Sequence, residues 1–351
     1  MGKEATLSSR DRGLALQRAI TAEIAALDVP VEVPGGTPVS RVSDAAAAVE
    51  HAATKVQMLF SGGDDVPADA ADSALGEFHD AYAAFVAHAV SSLGTRGATF
   101  DAGVKEAARE VASACAAFAG TATLPAASAN DKRAALSGVW EKCRAIKTLP
   151  KDGRAAVSKA FMRCATFVKD TATELAEIGA GANDDDDDDD DSARDDEEGL
   201  DPRRRPDPDD VDMFFDDANF DAGEMRVAKQ CAAFAAAAFQ LMRDLVAPVV
   251  RGAASEVGAL ERALRLCVAF QRDVENVGAG AYPPQDAEDL ARCVKGAMER
   301  AGGMCAAIAE AGGVEGAEAA GAKFAAAGDA TLETLREAER TGGDESAGDA
   351  K

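Results

Sequence analysis

Apolar residues recur at spacings of three and four along most of this chain, which is the pattern of amphipathic α-helices. One such stripe joins Leu75, Phe78, Tyr82 and Phe85. Ten stretches of this kind can be traced, six before an acidic segment in the middle of the chain and four after it. Strand-like alternation is confined to the residues around Val31, where prolines intervene. The pattern therefore predicts an all-α protein.

Prolines, glycines and capping residues divide the predicted helices. Ser40 or Ser43 is expected to cap the second helix, because a serine hydroxyl can accept a hydrogen bond from a free backbone N–H. Pro150 is expected to separate the fifth helix from the sixth, since proline lacks that N–H. Pro248 lies late in the seventh predicted helix, where we expect a kink or an early end.

Charge divides the chain more sharply than hydrophobicity does. The net charge of the 351 residues is −25. Residues 181–222 contain 20 acidic and 4 basic side chains, which leaves a net charge of only −9 for the rest. We therefore expect two antiparallel up-and-down helical bundles of four to five helices each, joined by an acidic, disordered linker. The expected boundaries are an N-terminal bundle over 1–180, the linker over 181–222, a C-terminal bundle over 223–345 and a disordered tail over 346–351.

The linker is built around an unbroken run of eight aspartates. An EF-hand needs a glycine at the sixth position of its loop and a glutamate at the twelfth, and no acidic segment here fits that arrangement. The run is therefore interpreted as a self-repelling spacer, with a dedicated binding element as the alternative. Its members are Asp184, Asp185, Asp186, Asp187, Asp188, Asp189, Asp190 and Asp191.

Four apolar residues, Met213, Phe214, Phe215 and Phe220, lie among aspartates near the end of the linker. Acidic segments with interspersed phenylalanines often dock into grooves on partner proteins, so these four are the candidate partner-binding residues. The alternative is that they fold back onto their own bundle, because the segment leads directly into a helix.

Known catalytic and ligand-binding patterns are missing from the sequence. Its three histidines are His51, His79 and His88, and the last two fall on opposite faces of one predicted helix. No zinc-protease, nucleophile-elbow or phosphate-loop motif is present. The seven cysteines form no CxxC pair, and most lie on apolar helical stripes, which favours reduced, buried thiols. We expect no enzymatic activity, no cofactor and no metal site.

The charge and hydropathy of the chain also limit its partners. A chain with such an acidic balance would be repelled by a phosphate backbone, so direct nucleic-acid binding is not expected. No apolar stretch approaches the length that a membrane span needs, so no membrane partner is expected.

One order of features resembles a known family. Asn130-Asp-Lys, Trp140, Cys143 and Leu149-Pro150 precede a helix that contains VKDTATEL. The aspartate-rich linker follows, and then a helix entered through Glu224 with Val227, Ala228 and Cys231. This order resembles the cyclin-D-binding, GCIP-type family. The resemblance implies paired bundles in the style of vinculin and the talin rod, and binding to D-type cyclins or helix-loop-helix factors. It further implies negative regulation of cell-cycle progression and transcription, and it carries no catalytic residues.

The leading hypothesis is thus a non-enzymatic regulatory interaction module in the cytoplasm and nucleus. A cytoskeletal scaffold of the vinculin and talin kind is one alternative. A chaperone for basic proteins, which would bind them through the aspartate run, is another.

Overall fold

The computed structural model describes residues 8–28, 36–61, 66–180, 220–252, 255–312 and 316–345. Within these ranges the chain forms helices and no strands, so the predicted all-α class is confirmed. Two short 3₁₀ helices, Ile24–Asp28 and Ile146–Thr148, extend the first and fifth α-helices. The α-helices are α1 (Ser9–Glu23), α2 (Val39–Phe60), α3 (Ala68–Ser91), α4 (Ala98–Ala122), α5 (Ala129–Ala145), α6 (Gly153–Ala180), α7 (Ala222–Arg251), α8 (Val257–Gly280), α9 (Ala287–Glu310) and α10 (Ala317–Glu345).

The chain forms two compact units, which we call unit 1 (1–159) and unit 2 (160–351). The division falls inside α6, whereas the sequence placed the boundary after residue 180. Contacts made by the later turns of α6 account for this difference. In unit 2, Glu174 of α6 accepts a hydrogen bond from the Tyr282 hydroxyl at 3.0 Å. The side chain of Thr171 lies directly over Gly278 of α8.

Unit 1 is organised around α4, which packs against α1 and α5, while α2 packs against α3 and α5. Its centre is aromatic, and the rings of Phe78 and Phe118 meet edge to face at 5.6 Å. The hydroxyl of Tyr82 donates to the carbonyl of Ile20 at 3.2 Å, which fastens α3 to α1. Since α1 packs against α3 and α4, the first helix belongs to unit 1, a point that the sequence left open.

A glycine permits the close approach of α1 to α4. A Cβ atom on Gly13 would lie 2.8 Å from the carbonyl oxygen of Ala119 and would overlap the side chain of Thr123. No side chain larger than hydrogen fits there unless the two helices move apart.

Gly13→Ala is therefore expected to lower the free energy of unfolding by about 1–2 kcal/mol. This is the cost of overpacking minus the gain from the better helix propensity of alanine. Urea denaturation followed by circular dichroism measures this. Gly138→Ala is the matched control, because a Cβ on Gly138 of α5 meets nothing within 4 Å. The control should gain about 0.5–1 kcal/mol, and equal effects in the two variants would contradict the close approach.

Unit 2 has an aromatic centre of its own. The ring of Phe324 in α10 lies 5.1 Å from that of Phe234 in α7 and 5.4 Å from that of Phe270 in α8. Around this cluster α10 packs against α7 and α9, and α8 packs against α9. Three helices thus share one apolar contact, which holds the unit together.

The serine cap predicted for α2 is wrong, and of the two outcomes expected at Pro248 the early end is not observed. Helix α2 begins at Val39 after Pro38, and neither Ser40 nor Ser43 caps it, since no side chain accepts from its first N–H groups. Proline supplies the extended conformation that precedes a helix, and the first turn forms from there. Helix α7 does not end early at Pro248 but continues to Arg251, where Gly252 in the left-handed conformation terminates it.

Candidate protein-interaction surface

Phe220 is the one predicted partner-binding residue that falls within the described part of the chain. Its ring lies 6.5 Å from that of Tyr282, and its side chain is half-buried. Tyr282 in turn donates its hydroxyl to Glu174, so Phe220 packs onto residues of its own unit. Met213, Phe214, Phe215 and the run from Asp184 to Asp191 lie outside the described residues, and their role in binding stays a prediction.

The acidic residues next to Phe220 cap a helix. The side chain of Asp221 accepts from the backbone N–H of Glu224 at 2.7 Å, and the side chain of Glu224 accepts from the N–H of Asp221 at 3.1 Å. This reciprocal capping box satisfies two N–H groups that would otherwise lack partners at the start of α7. Gln285 then donates to the carbonyl of Glu224 at 2.9 Å. Asp221 and Glu224 therefore fix the position at which α7 begins.

Trp140, one of the residues that carry the family resemblance, lies at the edge of the core of unit 1. Its indole N–H donates to Thr54 of α2 at 3.1 Å, and the ring is only partly buried. The guanidinium group of Arg144 lies 5.4 Å from the ring centre and also forms an ion pair with Glu50 at 2.8 Å. The polar partners of Trp140 come from α2, and no feature of the α5 sequence predicts them.

Five large apolar side chains are exposed in the described residues, and such side chains are where a search for a docking surface begins. Two of them lie on α6, where Met162 and Phe167 are 45% and 46% exposed. Met58 on α2 is 73% exposed. The remaining exposed residues of this class are Val250 and Val268 in unit 2.

The polar clusters of unit 1 are structural in character. The ring Nε2 of His79 lies 2.9 Å from Glu23, which joins α3 to α1. Burial, with smaller contributions from Cys115 and Glu23, raises the pKa of Tyr82, so this hydroxyl stays protonated and serves as a donor. Across the described residues, no three His, Cys, Asp or Glu side chains converge in a way that would hold a metal ion.

A cleft of about 740 Å³ in unit 2 lies between α8, α9 and α10 and contains a charged pair. Within it, Arg300 and Asp273 are 2.8 Å apart, and the carboxylate is 15% exposed. Burial raises the pKa of Asp273, while Arg300 and Arg272 oppose that rise. The pair spans α8 and α9, so it can fix the packing of these helices.

Helix α7 corrects the expectation that no stretch is long enough to cross a membrane. Among the described helices, only α7 is long enough and apolar enough to cross a membrane, judged by length and composition alone. Its apolar side chains, Phe234 and Leu241 among them, are buried in unit 2. A core helix passes the same test, and burial of this stripe accounts for its hydropathy.

Comparison with protein families identifies the part of the chain that contains α2 to α6. Residues 41–181 match the family model described as Grap2 and cyclin-D-interacting, N-terminal. This stretch is similar to the N-terminal domain of the GCIP-type family. The resemblance drawn from Trp140, Cys143 and Pro150 is thereby confirmed. No curated protein matches the chain significantly.

The GCIP-type domain does not coincide with either compact unit. It begins within the first turn of α2, so α1 lies outside it, and it ends just after α6. It therefore includes the turns of α6 that pack in unit 2 beyond residue 159. Met58, Met162 and Phe167 all fall inside the domain, whereas Val250 and Val268 do not.

Proposed function

We propose that this protein is a non-enzymatic regulator that binds a D-type cyclin through its GCIP-type domain and restrains cell-cycle progression. The family description over residues 41–181 carries this proposal, because it names a cyclin-D-interacting protein. A helical surface with exposed apolar residues and no convergent ligating triad in the described ranges suits a binding role. We further propose that the protein acts in the cytoplasm and the nucleus.

The proposed binding surface is centred on Phe167. Interfaces concentrate their binding energy in a few large side chains, and aromatic residues are enriched among them. Among the exposed large apolar side chains of the described ranges, Phe167 is the aromatic one. Charged residues of α6, including Arg163 and Asp170, surround Phe167 and would form the polar rim that such a contact requires.

The acidic linker has a supporting role in this proposal. It contains most of the net negative charge of the chain, so its field would accelerate encounters with a basic face of the partner. Electrostatic attraction of this kind raises association rates more than it raises final affinity. Helix-loop-helix factors, which the family resemblance also implied, are a further class of partner that the same surface could bind by helix-face contacts.

Phe167→Ala is expected to weaken binding to a purified D-type cyclin by at least about tenfold, since loss of an aromatic anchor typically costs 1.4 kcal/mol or more. The measurement is a binding titration with the full-length chain, accompanied by a circular dichroism spectrum. The spectrum should not change, because Phe167 is 46% exposed and is not part of the buried core.

Val268→Ala is the matched control for this experiment. Its side chain is 45% exposed, close to the value for Phe167, but it lies on α8 outside the GCIP-type domain. The control should bind like the unaltered chain. If both variants bind the cyclin as tightly as the unaltered chain, Phe167 is not part of the interface. If both variants weaken binding equally, the effect is not specific to the surface on α6.

A further inference from the structure

Unit 1 contains a local excess of positive charge, although the whole chain has a net charge of −25. Residues 144–159, which run from the end of α5 into the first turns of α6, contain five basic side chains and one acidic side chain. All five basic residues are exposed. The acidic residue, Asp152, accepts a hydrogen bond from the backbone N–H of Ala155 at 2.8 Å. Its carboxylate therefore caps the start of α6, and the surface of this segment stays positive.

This positive charge borders a cavity of about 380 Å³, at which the connection between α5 and α6 passes the start of α2. Lys147 of the second 3₁₀ helix and Lys151 of the loop before α6 line the cavity, and Arg96 lines it from the loop between α3 and α4. None of these three cations forms an ion pair with a carboxylate of the described residues. No acidic side chain from the described part of the chain lines the cavity either. Three cations from three segments thus face one cavity without a negative partner.

Arg96 fixes one side of the cavity. Its guanidinium group donates to the carbonyl of Thr37 at 3.0 Å and lies 5.0 Å from the centre of the Phe100 ring. The second 3₁₀ helix packs against α2, which holds the opposite side. By contrast, neither Lys147 nor Lys151 has a hydrogen-bond partner among the described residues. Their ammonium groups therefore keep all of their donors for a ligand.

The cavity also has an apolar part. Ile146 is buried, and Val39 and Leu149 are half-buried, so these side chains lie deeper than the exposed lysines. Ser40 and Ser43 line the cavity as well, and their hydroxyl groups have no hydrogen-bond partner in the described ranges. A ligand that fits this surface needs an apolar group for the deeper part and negative groups for the exposed part.

We propose that this cavity binds an acidic segment of a partner protein, in which carboxylates flank one large apolar side chain. The apolar side chain would pack against Val39 and Leu149, and the carboxylates would pair with Lys147 and Lys151. A free inorganic anion would leave the apolar side chains of the cavity without a contact. A nucleic acid would be repelled along its length by the net charge of the chain. Charge and hydropathy together thus favour an acidic peptide.

This site is separate from the surface proposed to bind a cyclin. Phe167 does not line the cavity, and the cavity residues from Ser43 onward lie within the GCIP-type domain. The inference rests on the cations and the apolar side chains of the cavity, and it does not depend on which partner binds at Phe167. Its test uses a peptide and no cyclin, so failure of the cyclin proposal leaves the result unaffected.

Fluorescence anisotropy with the full-length chain tests the proposal. The probe is the fluorescein-labelled peptide EEEFEEE, and the titration is done at low ionic strength because salt screens exposed charges. The comparison peptides are EEEAEEE, which lacks the large apolar side chain, and QQQFQQQ, which lacks the charges. We expect saturable binding of the probe and binding at least about fivefold weaker for each comparison peptide, since each lacks one of the two kinds of contact.

Two double variants locate the binding site. Lys147→Gln/Lys151→Gln should weaken binding of EEEFEEE by at least about fivefold, because two ion pairs are lost. Lys229→Gln/Lys323→Gln is the matched control, since it removes the same charge from two exposed lysines of unit 2 and should leave the affinity unaltered. All four lysines are exposed, so the circular dichroism spectra of both variants should match that of the unaltered chain.

Several results would overturn the proposal. One is the absence of saturable binding of EEEFEEE to the unaltered chain, and another is equal weakening in the two double variants. Equal affinities for EEEFEEE and either comparison peptide would also contradict it. A labelled oligothymidylate that binds as tightly as the peptide would show a general polyanion surface in place of a peptide site.

Discussion

Phe324→Ala is expected to lower the free energy of unfolding by about 3–5 kcal/mol, the usual cost of truncating a fully buried phenylalanine. The ring is 1% exposed and touches Phe234 and Phe270, so its loss leaves a cavity among α7, α8 and α10 at once. These helices cannot all collapse into the space, because each is held by other contacts along its length. Equilibrium urea denaturation, followed by circular dichroism and by fluorescence, measures the loss.

The matched control for Phe324→Ala lies in the same unit. Val268→Ala removes an exposed side chain from α8, so it should change stability by no more than about 0.5 kcal/mol. A loss below about 1 kcal/mol for Phe324→Ala would mean that the aromatic cluster does not hold unit 2 together.

Arg300→Ala is expected to destabilise the protein by about 2–3 kcal/mol near neutral pH, below the cost for a fully buried pair because the arginine is partly solvated. The substitution leaves the carboxylate of Asp273 buried, with Arg272 as its remaining neighbouring cation. The measurement is the free energy of unfolding at about pH 7 and at about pH 4.5.

The pH dependence of Arg300→Ala has a definite sign. Burial raises the folded-state pKa of Asp273 above its ordinary value of 3.8, so ionised Asp273 costs stability above the folded-state pKa. Removing Arg300 raises that pKa further and enlarges the cost. As the pH falls through the raised pKa, Asp273 becomes protonated and the difference between the variant and the unaltered chain should shrink. Asp273→Asn/Arg300→Ala should lack this dependence, and a deficit that grows in acid would contradict the assignment.

The sequence predicted the helices well because their burial follows a local period. Leu75, Phe78, Tyr82 and Phe85 were assigned to one stripe of one helix, and all four are buried on α3. On α7, Phe234 and Leu241 are seven residues apart and are both buried, which fits the same period. A face that packs against neighbouring helices must repeat at the helical period, so a single sequence is enough to show it.

The interactions that the sequence missed join residues that are distant along the chain. The hydrogen bond from Trp140 to Thr54 and the ring contact between Phe270 and Phe324 depend on which helices become neighbours, and periodicity within one helix carries no such information. The division inside α6 was missed for the same reason, since the helix continues without a break while its packing partners change.

The candidate site was predicted only at the level of the family. Trp140, Cys143 and Pro150 pointed to the GCIP-type domain, and its match over residues 41–181 confirms that identification. The exposed Phe167 could not be separated by sequence from the buried phenylalanines, because its neighbour Val168 continues the buried stripe of α6. A turn can be recognised in a sequence from its residue types, whereas an interaction residue can be recognised only from its exposure in the folded chain.

Calorimetric titration of the purified full-length chain with a purified D-type cyclin tests the central proposal most directly. We expect saturable binding with a stoichiometry of one to one, and a negative heat-capacity change because apolar surface such as the Phe167 ring is buried. The cyclin must bind its kinase partner in the same buffer, which shows that it is folded. Under that condition, the absence of any saturable heat at several temperatures would contradict the proposed function.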